Sequence, residues 1–294
     1  MIDALRRRWD DFWFRPGSRI SFIALRVIVA AHSLWIIASR PDLPALLDWP
    51  DAFWRPIPAS LLLRLGYFGL HPAVEWVLFG LLWLSLISVL FGFAIRVTAF
   101  AAGLLLYHFA PLDALLASGD FIGMSGLTVP TVAMFAIWAA EEYRWPVVLS
   151  QLLLAMSFFL SGVTKLTYIG LSWYGPSNIR QAAVTAWSLS GRPLALWVAT
   201  HSWAAWMIGI GSACLDALFL FAVFSRHVRW IVVPLALIAL VLRSLAFGVH
   251  WLAAPLLLLF VDWDWLVGRY SAWKNPAMAQ RAFSPAAGST LAMR

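Results

Sequence analysis

Apolar stretches of about 20 residues recur along this chain, and arginine-rich segments separate them. A helix of that length crosses the hydrocarbon core of a bilayer, which is roughly 30 Å thick. We predict such crossings near 20–39, 73–94, 97–115, 121–140, 146–164, 203–224, 228–247 and 249–266. With 62% hydrophobic and 12% charged residues, the chain has more apolar surface than a water-soluble fold can bury. The sequence therefore predicts an all-α, polytopic membrane helical bundle of about eight spans.

The predicted spans divide the chain into three parts. Residues 1–16 place Trp9 and Phe12 at helical spacing among charged residues, which predicts an amphipathic helix lying in the membrane interface. Residues 17–268 form the transmembrane domain. Residues 269–294 are rich in small residues, and we expect a disordered tail there.

Two of the predicted connections are long, roughly 40–72 and 165–202, and both contain proline and tryptophan. They are too apolar to extend freely into water, so we expect them to fold over the ends of the spans. Short interfacial helices are predicted at Pro58–Leu70 and Asn178–Ser190.

The basic residues are distributed unequally between the two sides of the predicted bundle. If the N-terminus is inside, the inner segments hold thirteen of the 21 lysines and arginines. The outer segments hold six, namely Arg40, Arg55, Arg64, Lys165, Arg180 and Arg192, and Arg26 and Arg243 lie within spans. Short cytoplasmic loops collect positive charge, so we predict an inner-membrane (plasma-membrane) protein with both termini cytoplasmic. The net charge of +7 is accounted for in this way and gives no reason to expect a nucleic-acid partner.

Ionisable residues within spans are costly and therefore informative. They are Arg26, His32, Glu75, His108, Asp216, Arg243 and His250. We predict that Arg26 pairs with Glu75 or Asp216, as structural charges inside the bundle. No two histidines share a helical face with an acid, so no metal site is predicted.

Lys165 is the only lysine in the first 273 residues, and it lies where the fifth predicted span ends. The simplest interpretation is a terminal lysine that extends to the lipid headgroups. The functional alternative is burial under a cover that includes Trp173 and Tyr174. Such burial disfavours the charged ammonium, and a neutral amine can act as a base or a nucleophile, which an arginine cannot.

The segment LSGVTKLTYIGLSWYG, which contains Lys165, resembles a segment of the membrane domain of vitamin K-dependent gamma-carboxylase. This domain is also called the horizontally transferred transmembrane (HTTM) domain. The similarity extends to FIALRVIVAAH around Arg26, to YHFAPLDALLASGDF around Asp120, to Asp216 and to LLLLFVDWDWL near the end.

This resemblance implies that Lys165 is the base that deprotonates a reduced naphthoquinone such as a menaquinol. Trp173, Tyr174, Asp120 and His108 would then contact the substrate. Two features differ from the carboxylase: no histidine stands beside Gly119-Asp120, and only a short segment follows the last span. We therefore expect chemistry on a quinol or another lipid-soluble substrate rather than carboxylation of a protein glutamate.

Two further hypotheses remain open from the sequence. The chain is alternatively a non-catalytic membrane partner or maturation factor for another protein, with Lys165 only structural. The third hypothesis is a small-molecule transporter. The sequence shows no repeats and no broken-helix pairs, which argues against this hypothesis.

Overall fold

The computed structural model describes residues 2–48, 72–116, 126–139, 143–168, 170–247 and 254–274, and these residues form an all-helical protein. The α-helices are α1 (Ile2–Phe14), α2 (Arg19–Ala38), α3 (Pro72–Phe91), α4 (Ile95–Leu116), α5 (Thr128–Ala139), α6 (Trp145–Tyr168), α7 (Pro176–Ser190), α8 (Pro193–Thr200), α9 (Ser202–Leu218), α10 (Phe221–Phe224), α11 (Arg226–Phe247) and α12 (Trp263–Lys274). Short 3₁₀ helices occupy Leu43–Asp48, Leu171–Tyr174 and Pro255–Phe260.

Four helices are long and apolar enough to cross a membrane: α2, α3, α6 and α11. Their exposed side chains are largely apolar, as in Leu84 of α3 and Ile231 of α11, because lipid rather than water surrounds them. Helices α4 and α5 coincide with two more predicted spans, but the apolar parts described there are shorter. The described residues thus form a helical membrane protein with at least these four candidate spans.

The predicted span 203–224 is part of a bent pair of helices. Helix α8 ends at Thr200, α9 begins at Ser202, and the two axes differ by 100°. If this pair is one broken span, the candidate spans number five, and the expectation from the sequence that broken-helix pairs are absent is wrong. Helix α7 matches the predicted interfacial helix Asn178–Ser190 and packs against α8 and α9. The other predicted interfacial helix, Pro58–Leu70, lies outside the described residues.

The predicted last span, 249–266, is wrong as one continuous helix. Helix α11 ends at Phe247, and its first residue, Arg226, lies 3.7 Å from Asp262. The chain therefore returns from the end of α11 to its beginning before α12 begins. The described part of this return is the 3₁₀ helix Pro255–Phe260, which begins at a proline and is mostly buried. Burial within protein is the condition under which irregular backbone is tolerated at membrane depth.

The core is centred on α2, which packs against α3, α5, α6 and the segment Pro255–Phe260. Completely buried side chains such as Ile36, Leu82 and Phe219 belong to its main cluster. A second, smaller cluster joins α7, α8 and α9 through Ala183, Val198 and Ala205. Residue contacts define two ends of the bundle. We call the end where α2, α6 and α11 begin the Arg144 end, and the end where α6 finishes the Lys165 end.

Candidate functional site

Lys165 lies in the last turn of α6 and forms an ion pair with Asp216 of α9. Its Nζ donates a hydrogen bond to Asp216 Oδ2 across 2.8 Å. The Lys165 side chain is 19% exposed and that of Asp216 is 10% exposed, so the pair is largely removed from solvent. At this distance the attraction between the opposite charges offsets the cost of removing them from water. This explains how α6 and α9 can each place a charged group between them.

Tyr174 completes the cluster from the 3₁₀ helix Leu171–Tyr174. Its hydroxyl donates to the same Asp216 oxygen across 3.0 Å, and the Lys165 Nζ lies 5.9 Å from the centre of its ring. Burial, together with the charge and the hydrogen bond of Asp216, raises the pKa of the Tyr174 phenol, which lies in the connection between α6 and α7. Tyr174 is therefore a fixed donor to the carboxylate.

Two glycines allow these elements to approach so closely. A Cβ atom at Gly162 of α6 would lie 2.7 Å from the Cβ of Asp216. A Cβ atom at Gly209 of α9 would collide with the backbone carbonyl of Tyr174. Small residues at such positions let helix backbones approach in membranes, and here they set the distance between Lys165 and its partners.

The structure thus brings Lys165, Tyr174 and Asp216 together, although the sequence assigned them separate roles. Asp216 was predicted as a structural charge for Arg26, and instead it is the acid of the Lys165 cluster. Trp173 is half-buried beside Tyr174. Asp120, the other predicted substrate contact near this loop, lies outside the described residues.

A second buried acid pairs with a histidine elsewhere in the bundle. Glu75 of α3 is 1% exposed, and its Oε2 lies 2.8 Å from His108 Nε2 on α4. His108 also contacts the edge of Phe109. The predicted substrate contact His108 is thus placed in a pair with Glu75, on different helices from those that form the Lys165 cluster.

The predicted pairing of Arg26 with Glu75 or Asp216 is wrong, because each acid has another partner. The guanidinium of Arg26 lies instead against Gly92, between α3 and α4, where any Cβ would overlap it. Gly92 has φ +84°, which favours glycine as well. The Nε of Arg26 is buried and has no hydrogen-bond partner among the described residues.

His32 of α2 contacts a backbone carbonyl, with 3.2 Å between its Nε2 and the oxygen of Gly126. Across the described ranges, no three histidine, cysteine or acidic side chains meet in a group that could hold a metal ion. Sequence reasoning missed the Tyr174–Asp216 hydrogen bond and the Glu75–His108 pair. The only sequence signal for either was the cost of placing an acid inside a span.

The fold and the paired buried charges define an all-helical membrane protein with a lysine–aspartate–tyrosine cluster at one end of its bundle. The chain matches no family model, no curated protein and no solved structure.

Proposed function

We propose that this chain is a membrane protein of the carboxylase-like class, in which the Lys165, Asp216 and Tyr174 cluster deprotonates a quinol or similar lipid-soluble acid. The single observation that carries this proposal is the contact of Lys165 and Asp216 at 2.8 Å, with Tyr174 donating to the same carboxylate. The resemblance of the Lys165 segment to the gamma-carboxylase membrane domain supports the choice of substrate class.

The pair can present a neutral amine to a substrate without any change in its total charge, because the proton moves within the pair. In a site of low dielectric, Asp216 accepts a proton from the Lys165 ammonium, and both groups become neutral. The neutral amine then takes the proton of the substrate hydroxyl. The products are a protonated Asp216, a Lys165 ammonium and a substrate oxyanion, which the ammonium stabilises. Tyr174 holds the carboxyl group in position throughout.

The surroundings of Lys165 suit a substrate that arrives from the lipid. The neighbouring Leu166, Tyr168 and Leu171 are 44%, 77% and 80% exposed, so the surface next to the amine is apolar. A quinol combines an apolar body with an acidic hydroxyl, which matches an apolar surface with one partly exposed amine. The 3₁₀ helix Leu171–Tyr174 packs against α6, α7 and α9 at this end of the molecule.

The proposal includes the finer topology. We infer eight passes across the inner membrane, with the irregular return between α11 and α12 as the last, and with the Arg144 end in the cytoplasm. The charge distribution in the sequence supports this orientation. A reporter inserted after Arg144 should read cytoplasmic and one inserted near Ser188 should read external. The opposite result at either position would reverse the orientation and place the Lys165 cluster inside.

The function is tested with a short-chain reduced naphthoquinone as the probe, in vesicles that contain the full chain. A deprotonated quinol gives two electrons to oxygen more readily than the neutral form, so the formation of quinone and hydrogen peroxide reports deprotonation. We expect Lys165→Arg to abolish the catalysed rate, because a guanidinium does not release its proton. Lys274→Arg is the matched control, since Lys274 is the other lysine of the chain, and it should leave the rate unchanged.

The same pair of variants separates the proposal from its main alternative. The ion pair also joins α6 to α9, as a purely structural contact in a non-catalytic membrane partner would. In that case Lys165→Arg preserves the charge and the fold, and the variant and the parent oxidise the quinol at the same rate. A rate that is equal in the parent, in Lys165→Arg and in empty vesicles would reject the catalytic function.

A further inference from the structure

A polar cavity of about 390 Å³ opens at the Arg144 end of the bundle. It lies between the beginnings of α2, α6 and α11 and the segment that leads into α12. The connection before α2 closes one side, where Arg144 N donates to Arg15 O across 3.0 Å. A Cβ atom at Gly17 would lie 2.8 Å from the carbonyl oxygen of Tyr143, so this contact between backbones is close. Contacts between backbones therefore fix the position of this wall of the cavity.

Among the described residues, the lining of the cavity carries more positive than negative charge. Its charged lining consists of Arg15, Arg144, Arg229, Asp262 and Asp264. Both oxygens of Asp264 are engaged, one by the Ser18 hydroxyl and the other by the Ser21 hydroxyl at 3.0 Å. Asp262 also has Arg226 at 3.7 Å and accepts from the backbone of Trp265. The two described acids therefore neutralise the three described arginines of the lining only in part.

Arg229 is held in a position that suits anion binding. Its Nε and one terminal nitrogen donate to the carbonyl oxygens of Ala222 and Val223, at 2.9 and 3.0 Å. The other terminal nitrogen makes no hydrogen bond within the described residues. Arg144 and Arg229 line the same cavity, and an anion between the two guanidinium groups would reduce the repulsion between their positive charges.

An apolar cavity of about 620 Å³ adjoins the polar one and shares Arg144, Arg229, Val261 and Asp262 with it. The rest of its lining is mainly apolar and includes Phe12, Phe224, Trp230, Val233, Phe260 and Leu266. A polar compartment with arginines thus leads directly into an apolar one. This combination matches an amphiphile with an anionic head and a hydrocarbon tail.

The position of the two cavities in the bundle also fits a membrane lipid. Helix α1 lies beside them, and its Phe12 stacks on Phe224 with 5.6 Å between ring centres. Trp9 of α1 and Trp230 of α11 are 61% and 53% exposed. Exposed tryptophans prefer the depth of the lipid headgroups, so this end of the bundle lies where a phospholipid phosphate would be found.

We propose that one anionic phospholipid binds at the Arg144 end, with its phosphate between Arg144 and Arg229 and an acyl chain in the apolar cavity. Basic pockets between membrane helices bind such headgroups, and arginine suits them because its planar donors fit phosphate oxygens. The site is separate from the Lys165 cluster, and the inference does not depend on the proposed function.

The test is native mass spectrometry of the full chain in a nonionic detergent, titrated with phosphatidylglycerol or phosphatidylcholine of identical acyl chains. We expect phosphatidylglycerol to bind at least about ten-fold more tightly, because only it brings a net negative charge to the arginines. Arg144→Gln should weaken its binding about ten-fold. Arg96→Gln is the matched control, since Arg96 lies in the first turn of α4, shortly after the Gly92 that contacts Arg26 of α2, and lines neither cavity.

The apolar compartment is tested with a second matched pair. Val233→Trp fills the cavity and should reduce binding of phosphatidylglycerol, whereas Leu235→Trp should not, because Leu235 is half-exposed on the outside of α11. If Arg144→Gln fails to fold, Arg15→Gln replaces it, since Arg15 lines only the polar cavity.

Three results would overturn the proposal. The first is equal binding of the two lipids, and the second is equal binding by Arg144→Gln and Arg96→Gln. The third is displacement of phosphatidylglycerol by inorganic phosphate at the same concentration, which would identify the ligand as a free anion and not as a lipid.

Discussion

Asp216 and Glu75 are both buried acids on membrane helices, and each has a basic partner at 2.8 Å, yet the two sites differ in chemistry. Asp216 faces a lysine and also accepts a hydrogen bond from the Tyr174 phenol. Glu75 faces His108, whose imidazole can be neutral or charged and can form the hydrogen bond in either state.

This difference separates two ways of keeping a carboxylate inside a membrane protein. A lysine partner contributes a full charge, so removal of either member leaves an uncompensated charge behind. A histidine partner can lose its charge and remain a donor. We therefore expect neutralisation of Asp216 to lower the stability of the protein strongly and neutralisation of Glu75 to lower it weakly. The following predictions test this order.

The largest loss of stability is expected from Asp216→Asn. This change leaves the Lys165 ammonium without its counter-ion, and removing one partner of a buried pair typically costs about 3–5 kcal/mol. We expect a loss of about 3 kcal/mol, since Lys165 keeps 19% exposure and lies near a helix end. The measurement is the thermal stability of the purified protein in detergent.

A double variant, Lys165→Met with Asp216→Leu, is the control for this prediction. It removes both charges, so it should recover most of the lost stability. If Asp216→Asn alone melts at the temperature of the parent, the ion pair is not a structural requirement of the Lys165 end.

The next effect concerns the backbone contact that positions Tyr174. Gly209→Ala introduces a methyl group where the carbonyl of Tyr174 lies, whereas a Cβ at Gly211 meets nothing within 4 Å. Both glycines belong to α9, so Gly211→Ala is a matched control. We expect Gly209→Ala to lower stability by about 1–3 kcal/mol, as overpacking does. Equal melting temperatures for the two variants would show that Tyr174 is not held against α9.

A smaller effect is expected from Glu75→Gln. The amide has nearly the same shape as the carboxylate, and its carbonyl oxygen can accept a hydrogen bond from a neutral His108. We expect a loss of about 1 kcal/mol, the usual contribution of one hydrogen bond. A loss as large as that of Asp216→Asn would mean that His108 is charged in the folded protein, and the contrast between the two sites would disappear.

The smallest effect is expected from Arg226→Gln. The pair of Arg226 and Asp262 is 3.7 Å apart, and its side chains are 59% and 40% exposed. Such exposed pairs contribute little, so the change in stability should stay below about 0.5 kcal/mol. A clear drop in melting temperature would show that this pair fixes the return of the chain before α12.

The sequence by itself determined that the protein is a helical membrane protein, because helix-length apolar runs leave few other folds open. It located α2, α3, α6 and α11 to within a few residues and predicted α7 in the connection after Lys165. It also marked Lys165, Tyr174, Asp216, Glu75 and His108 as unusual. These properties are local, since each depends on the polarity of one stretch of chain and on the cost of burying a charge within it.

Only the tertiary structure decided which of these residues meet. Lys165 and Asp216 are 51 residues apart, and their contact depends on how far α9 extends along α6. That offset is set by Gly162 and Gly209, whose missing side chains allow close approach, and by the 100° bend before α9. The same reason explains why Arg26 lies against Gly92 and not beside an acid. Pairing depends on the relative height and rotation of packed helices, and the hydrophobic pattern of a single helix contains neither.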